Sequence, residues 1–334
     1  MMGGLICERR TSAANVNQVA EEIKLQHNQH QLKNDESTNN ESGFEDYDYE
    51  YSHELIAFGK NRFEYSDVPS KCIGHGSFGT VFKGYDFKCA KAVAIKKMNN
   101  FNVKPDELKT MQSVSSGFLV SLVDICEEQM GITHIVMELC DTDLEKFLQN
   151  TPLGHLNEIN LTKLIDNITR GYYALYQQRI VHRDIKPQNI LITYSPTKEI
   201  GVAKITDFGV SRILVDENPG LSNVAGTLYY MAPEVGANLL TMCSYDHCVD
   251  MWSIGCVFYQ SLVGKMPFDE CSLCRLFLNC AGQNYEAYDM PELPENTDEK
   301  VTELLTMLLE IDRKKRATPS QLYAFVCSNN NTQD

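Results

Sequence analysis

No stretch of this 334-residue chain is apolar for the ~18 residues that a membrane-crossing helix requires. The opening MMGGLICERRTS also lacks the apolar core of a secretory signal. Gly3 does not directly follow the initiator Met1, so an N-myristoylation pattern is missing as well. These absences lead us to expect a soluble protein with no membrane partner. Basic residues are scarce relative to acids, with 30 Lys and Arg against 45 Asp and Glu and a formal net charge of -15. A nucleic-acid binder needs a basic surface to neutralise phosphate, so no nucleic-acid partner is expected. The one basic cluster, Arg313-Lys314-Lys315-Arg316, lies between helix-like segments, where a structural role outranks a nuclear address.

The twelve cysteines are scattered, and only Cys271 and Cys274 form a CxxC, with Cys280 nearby. There is no second pair at zinc-ribbon spacing. Surface or packed reduced thiols are the expectation, which places the chain in the cytoplasm, with the nucleus as the alternative. Asn160-Leu161-Thr162 and Asn167-Ile168-Thr169 read as glycosylation sequons, but without a secretory signal they are coincidences. The length suits one large two-lobed domain or two small ones, plus any tail.

Residues 1–62 are rich in Asn, Gln, Ser and charge and have few large apolar side chains, so disorder is expected there. Within them, 41–54 (ESGFEDYDYEYSHE) holds six acids and no Lys or Arg. It reads as a solvated tail or as a docking segment for a basic partner. From Phe63 the texture changes. Leu161, Leu164, Ile165 and Ile168 fall at helical spacing, as do Val301, Leu304, Leu305 and Leu308. Residues 250–258 are apolar nearly all round, the pattern of a fully buried helix.

Chemistry concentrates in VHRDIKPQNIL, residues 181–191, followed by TDFG at 206–209. Phosphoryl transfer needs a proton acceptor for the incoming hydroxyl, a cation near the migrating charge, and oxygen ligands for magnesium. Asp184 can accept the proton, Lys186 can supply the charge, and Asn189 with Asp207 can hold the metal. Upstream, IGHGSFGTVFKG contains Gly74, Gly76 and Gly79 as G-x-G-x-x-G, where missing Cβ atoms let backbone amides approach phosphate. A dinucleotide-binding turn has the same glycines but opens a helix. Here Thr80, Val81 and Phe82 continue as β-formers, and a second strand, VAIKK, follows.

On these motifs the chain resembles the protein-kinase family from about Phe63 to Cys327. The resemblance implies an α+β, two-lobed fold: a small antiparallel β-rich N-lobe at about 63–138 and a larger, mostly helical C-lobe at about 141–327. A disordered N-terminal tail would precede it, and a short tail at 328–334 would follow. It implies ATP and magnesium as cofactors. Lys96 would contact the nucleotide's α and β phosphates and pair with an acid of the next helix, for which Glu107 is the first candidate and Asp106 the rival. The nucleotide would lie among Ile73, Gly74, His75, Gly76, Ser77, Phe78, Gly79, Thr80, Val81, Ala94 and Leu191. Backbone groups of Glu138 and Cys140 would read the adenine edge, with Met137 gating the pocket behind it.

Lys186 two residues beyond Asp184, and Gly226-Thr227, resemble serine/threonine rather than tyrosine kinases. The resemblance makes 207–234 an activation segment. Arg183 would pair with a phosphorylated loop, and Ser222 is the first phosphosite candidate ahead of Thr227, Tyr229 and Tyr230. Thr227 would instead help to hold Asp184 and Lys186, and Glu234 with Arg316 would brace the larger lobe. Gly209 is expected to give Asp207 a backbone that can turn. The expected partners are a protein substrate and an upstream kinase. A pseudokinase scaffold is the alternative, although Lys96, Asp184 and Asp207 are all retained.

Overall fold

The computed structural model describes residues 55–76, 79–99, 112, 114–128, 131–207, 228–237 and 246–328. Strands β1 (Leu55–Phe58), β2 (Phe63–Ser66), β3 (Cys72–Gly76), β4 (Gly79–Asp86), β5 (Lys91–Asn99), β6 (Leu122–Glu127) and β7 (Ile132–Glu138) form one seven-stranded sheet. Its order is β1-β2-β4-β5-β7-β6, with β3 beside β4, and the pairings are antiparallel. Side chains alternate between its two faces, as strand geometry dictates. Val93, Ile95 and Val136 pack on one face with Phe58, Phe63, Tyr65 and Phe82. Met98, Ile135 and Met137 join the core shared with the helical lobe. Lys96 lies opposite Ile135, and Ala94 opposite Met137, so both point toward the helical lobe.

The disorder expected through residue 62 is corrected at its end, because β1 and the turn after it belong to the sheet. Gly59, Lys60 and Asn61 take left-handed φ values of 60°, 59° and 62°, which reverse the chain tightly. Phe58 is then buried, stacked 5.4 Å from Phe63 and 4.2 Å from His134. Arg62 closes the hairpin by donating to Asp86 at 3.1 and 2.8 Å and to Asp124 at 2.7 Å.

The larger lobe starts with β8 (Thr142–Asp143) and α1 (Leu144–Gln149), where the Asp143 carboxylate caps the helix by accepting from the Lys146 amide. Helix α2 (Glu158–Gln177) is capped by Asn157 and buries the expected Leu161, Leu164, Ile165 and Ile168, with Tyr172 and Leu175 extending the stripe. Strand β9 (Ile190–Tyr194) lies between β8 and β10 (Ile200–Ile205) in a small second sheet. Asn160 and Asn167 on α2 are buried, and each Oδ1 accepts from a β10 amide, of Ile200 and Ala203, at 2.9 Å. Their sequons are therefore out of reach of a modifying enzyme in the folded chain.

Helices α3 (Pro233–Ala237), α4 (Cys248–Val263), α5 (Glu270–Ala281), α6 (Glu299–Leu308) and α7 (Pro319–Ser328) complete the lobe. The expected all-round burial of 250–258 holds, with α4 as the core's centre. The Glu234–Arg316 pair also forms, at 2.8 Å between carboxylate and guanidinium. The lobes are joined by backbone as well as by the β7–β8 connection. Ile205 donates to Phe118 O at 3.0 Å and accepts from Val120 N at 2.9 Å.

Candidate active site

The glycine-rich stretch is the β3–β4 hairpin, with Gly76 opposite Gly79 and His75 opposite Thr80. Ser77 and Phe78, at its tip, lie outside the described residues. A Cβ on Gly79 would stand 2.2 Å from the Lys97 carbonyl oxygen, so β4 and β5 approach here only because glycine occupies the position. A Cβ on Gly74 would meet only Val81, at 3.9 Å. Gly74 therefore faces open space, as a backbone wrapped over a ligand should. Ile73 is an exposed large apolar side chain, 40% accessible, and His75 and Thr80 flank the hairpin. Val81 lies opposite Lys96 in the β4–β5 register and so shares its face with Lys96 and Ala94.

Lys96 is 1% exposed, and its ammonium donates to Asp207 Oδ1 at 2.7 Å. A buried ammonium requires a partner of this kind. The expected partners Glu107 and Asp106 lie outside the described residues. Asp207 itself has φ of 62°, a conformation rare without glycine. The turn assigned to Gly209 is thus already made at Asp207, while Phe208 and Gly209 lie outside the described residues.

Pro187–Asn189 forms one 3-10 turn with Pro at its start, where a missing N–H is harmless. It brings three expected groups together. Lys186 Nζ lies 2.8 Å from Asp184 Oδ2. Asn189 Nδ2 donates to both the Asp184 carbonyl and Oδ2, each at 2.8 Å. The two contacts to the Asp184 carboxylate, from Lys186 and Asn189, both fall on Oδ2, so Oδ1 is the atom available to a further group. With its amide nitrogen engaged, Asn189 presents Oδ1 as the remaining ligand atom, and Thr206 N donates to the Asn189 carbonyl at 3.0 Å. Asn189 Oδ1 and the Asp207 carboxylate make an all-oxygen donor set, which fits magnesium. Among the described residues no cluster of three or more His, Cys, Asp or Glu suits a metal, and Cys271 and Cys274 are exposed free thiols.

At the link between lobes, Met137 is buried, and the Glu138 amide donates to Ser121 O at 3.0 Å. The Glu138 carboxylate is held by Lys204 Nζ at 2.7 Å and by the Ser121 amide at 2.7 Å. The Cys140 thiol is pushed up to about 12, first by burial and then by the Glu138 charge. Leu191, on β9, packs against the core shared by the two lobes.

Two groups that organise this site had not been picked out of the sequence. Asp250, fully buried on α4, accepts from the His182 amide at 2.7 Å and from the Arg183 amide at 2.7 Å. Tyr172 on α2 donates to the same carboxylate at 2.6 Å. The signal for Asp250 was a carboxylate inside an otherwise apolar helix, which must find donors or remain costly. His182 carries the organisation forward, with Nε2 2.8 Å from Thr206 O and Nδ1 accepting from the Asp184 amide at 3.2 Å. Arg183 has φ of 68°, and its buried Nε has no hydrogen-bond partner among the described residues. Ser222 and Thr227 lie outside them.

A two-lobed fold with a glycine hairpin, an acid-lysine-amide loop and a second aspartate paired with the strand lysine is the architecture of the protein-kinase class. The family model of the protein kinase domain matches residues 68–325. The chain is 33% identical over 274 residues to human serine/threonine-protein kinase ULK1, covering 77% of this chain and 24% of that protein. It is 32% identical over 214 residues to serine/threonine-protein kinase fused of Drosophila melanogaster, covering 62% of this chain and 25% of that protein. A probable cell division protein kinase of Encephalitozoon cuniculi is 30% identical over 262 residues, 75% of this chain and 92% of that protein. The chain belongs to the protein kinase family, of the eukaryotic serine/threonine type. It spans about a quarter of the length of the first two relatives.

Proposed function

We propose that the protein transfers the γ-phosphoryl group of ATP to a serine or threonine hydroxyl of a protein substrate. The observation that carries this reading is the interlocked set Lys96–Asp207 and Lys186–Asp184–Asn189, every member within 2.8 Å of its partner. Asp184 orients the attacking hydroxyl and takes its proton on Oδ1, while Oδ2 is fixed by Lys186 and Asn189. Lys186 keeps a positive charge beside the group in flight. Lys96 positions the nucleotide's α and β phosphates under the hairpin of Gly74, Gly76 and Gly79. Asp207 and Asn189 would hold magnesium, which when bound neutralises charge developing on the phosphate oxygens. The Glu138 amide is engaged with Ser121 O, so that residue reads the adenine edge through its carbonyl, and Cys140 through its amide.

The buried Nε of Arg183, without a hydrogen-bond partner among the described residues, suits an anion, which supports control by a phosphorylated activation segment with Ser222 as the acceptor. Full activity of Ser222→Ala together with no phosphate at that residue by mass spectrometry would overturn this part. We place the protein in the cytoplasm, with the nucleus as the alternative, and read the acidic segment 41–54 as a solvated tail, with docking to a basic partner as the alternative.

The test is magnesium-dependent transfer of labelled phosphate from ATP to a generic serine/threonine substrate mixture, comparing wild type with Asp184→Asn. The variant should bind ATP and lose roughly 10²-fold or more in rate, as for a missing acid-base group. Absence of transfer by folded, ATP-binding wild type, even with Ser222 phosphorylated, would instead make the chain a scaffold.

A further inference from the structure

The Asp250 carboxylate does not end the hydrogen-bond chain that begins at Asp184. The Tyr172 hydroxyl, which donates to Asp250 Oδ2 at 2.6 Å, also lies 3.1 Å from Nδ1 of His247, the residue preceding α4. A hydroxyl has one proton. At 2.6 Å from a carboxylate that proton belongs in the bond to Asp250, so toward His247 the hydroxyl oxygen can only accept. Nδ1 of His247 must therefore carry a proton and donate it. The imidazole is held for this by the edges of two rings, Tyr172 at 6.2 Å and Tyr176 at 4.7 Å between centroids, with interplanar angles of 80° and 82°. Burial and the neighbouring Asp250 charge hold the Tyr172 proton firmly, raising its pKa well above the ordinary value.

What this chain supports is a backbone under strain. Arg183, immediately before Asp184, has φ of 68°, which a non-glycine residue adopts only when its surroundings impose it. Asp250 holds the backbone just before this turn, its two oxygens accepting from the amides of His182 and Arg183, and His182 Nδ1 holds the Asp184 amide just after it. We propose that Tyr172 and His247 are positioning residues for phosphoryl transfer, with His247 Nδ1–H orienting the Tyr172 hydroxyl onto Asp250 so that Asp250 holds the 182–184 backbone and the Asp184 carboxylate in register. The proposal rests on the reading of Asp184 as proton acceptor. Neither side chain is expected to touch nucleotide or substrate. Its loss therefore acts on turnover and leaves nucleotide affinity alone.

The experiment measures steady-state phosphotransfer by the full chain for wild type, Tyr172→Phe, His247→Ala, His247→Asn and Asp184→Asn, with amide hydrogen exchange of the segment around His182 and Arg183. Tyr172→Phe and His247→Ala should each lower kcat about 10-fold, a misplacement effect, with KM for ATP changed less than about twofold. Both should speed exchange of the 182–183 amides. His247→Asn should recover the rate and the protection, because its amide nitrogen can donate where Nδ1 did. Wild-type kcat in Tyr172→Phe and His247→Ala, with only a lower melting temperature, would overturn the proposal, as would His247→Asn as slow as His247→Ala. Asp184→Asn separates the two readings. Full activity of that variant would defeat the assignment of Asp184, whereas its loss alongside fully active Tyr172 and His247 variants would defeat only the positioning role. Unchanged amide exchange in Tyr172→Phe and His247→Ala would overturn it whatever the activities.

Discussion

Replacing Glu234 with Gln keeps the side chain's shape and removes the charge that balances Arg316. The Arg316 side chain is wholly buried, 2.8 and 3.0 Å from the two carboxylate oxygens. It also donates to the carbonyls of Glu310 at 2.8 Å, Cys248 at 2.9 Å and Ile311 at 3.3 Å, and lies 5.1 Å from the Trp252 ring centroid. Those neutral contacts survive in Glu234→Gln. What is lost is the full negative charge that, among the described residues, pairs with a cation that cannot reach water. Breaking a buried pair on one side costs about 3–5 kcal/mol, and the retained carbonyl bonds place this case near 3, from a total stability of about 5–15 kcal/mol. Trp252 is the chain's one tryptophan. Its fluorescence through a urea titration therefore reads this lobe directly, and the midpoint should fall with little change in slope. The paired replacement Glu234→Leu with Arg316→Met should recover much of the loss, because an apolar pair leaves no stranded charge. A shift below about 1 kcal/mol in Glu234→Gln, the size of an exposed pair's contribution, would refute the reasoning.

Gly79→Ala should destabilise the nucleotide-free protein by about 1–3 kcal/mol, because its Cβ meets the Lys97 backbone. Gly74→Ala, with nothing nearer than 3.9 Å, should leave the melting temperature unchanged and act only on KM for ATP. His134 and His247 both have pKa values held below 6.5 by burial. As pH falls below about 6.5 the unfolded chain takes up protons first, so stability should decline through that window and level off below the folded pKa values. Denaturant midpoints between pH 7 and 5 should show a shallower decline in His134→Gln, and an identical slope would count against the assignment.

The acid-lysine-amide loop and the glycine hairpin were legible because the chemistry proposed for them requires particular side chains at short, fixed spacing. Asp184, Lys186 and Asn189 lie within one turn of chain, and the structure closes them on one another. Helix α2 was legible for a different reason, since Leu161, Leu164, Ile165 and Ile168 repeat at the helix period. Strand β1 was passed over although LIAF-GKNR-FEYS holds a turn between two apolar runs, because the polar composition before it dominated the reading. The backbone recognition proposed at Glu138 and Cys140 would leave almost no side-chain signature, so only the resemblance pointed there.

Local spacing thus determined which residues of this chain could do chemistry and marked the strongly periodic segments as strands or helices. Only the tertiary structure decided which groups meet. Lys96 and Asp207 are 111 residues apart, Asp250 and the His182 amide 68, and Glu234 and Arg316 82. No periodicity spans such distances. Burial selects these pairings, because a charge drawn from water into the core is tolerable only where the fold delivers its partner.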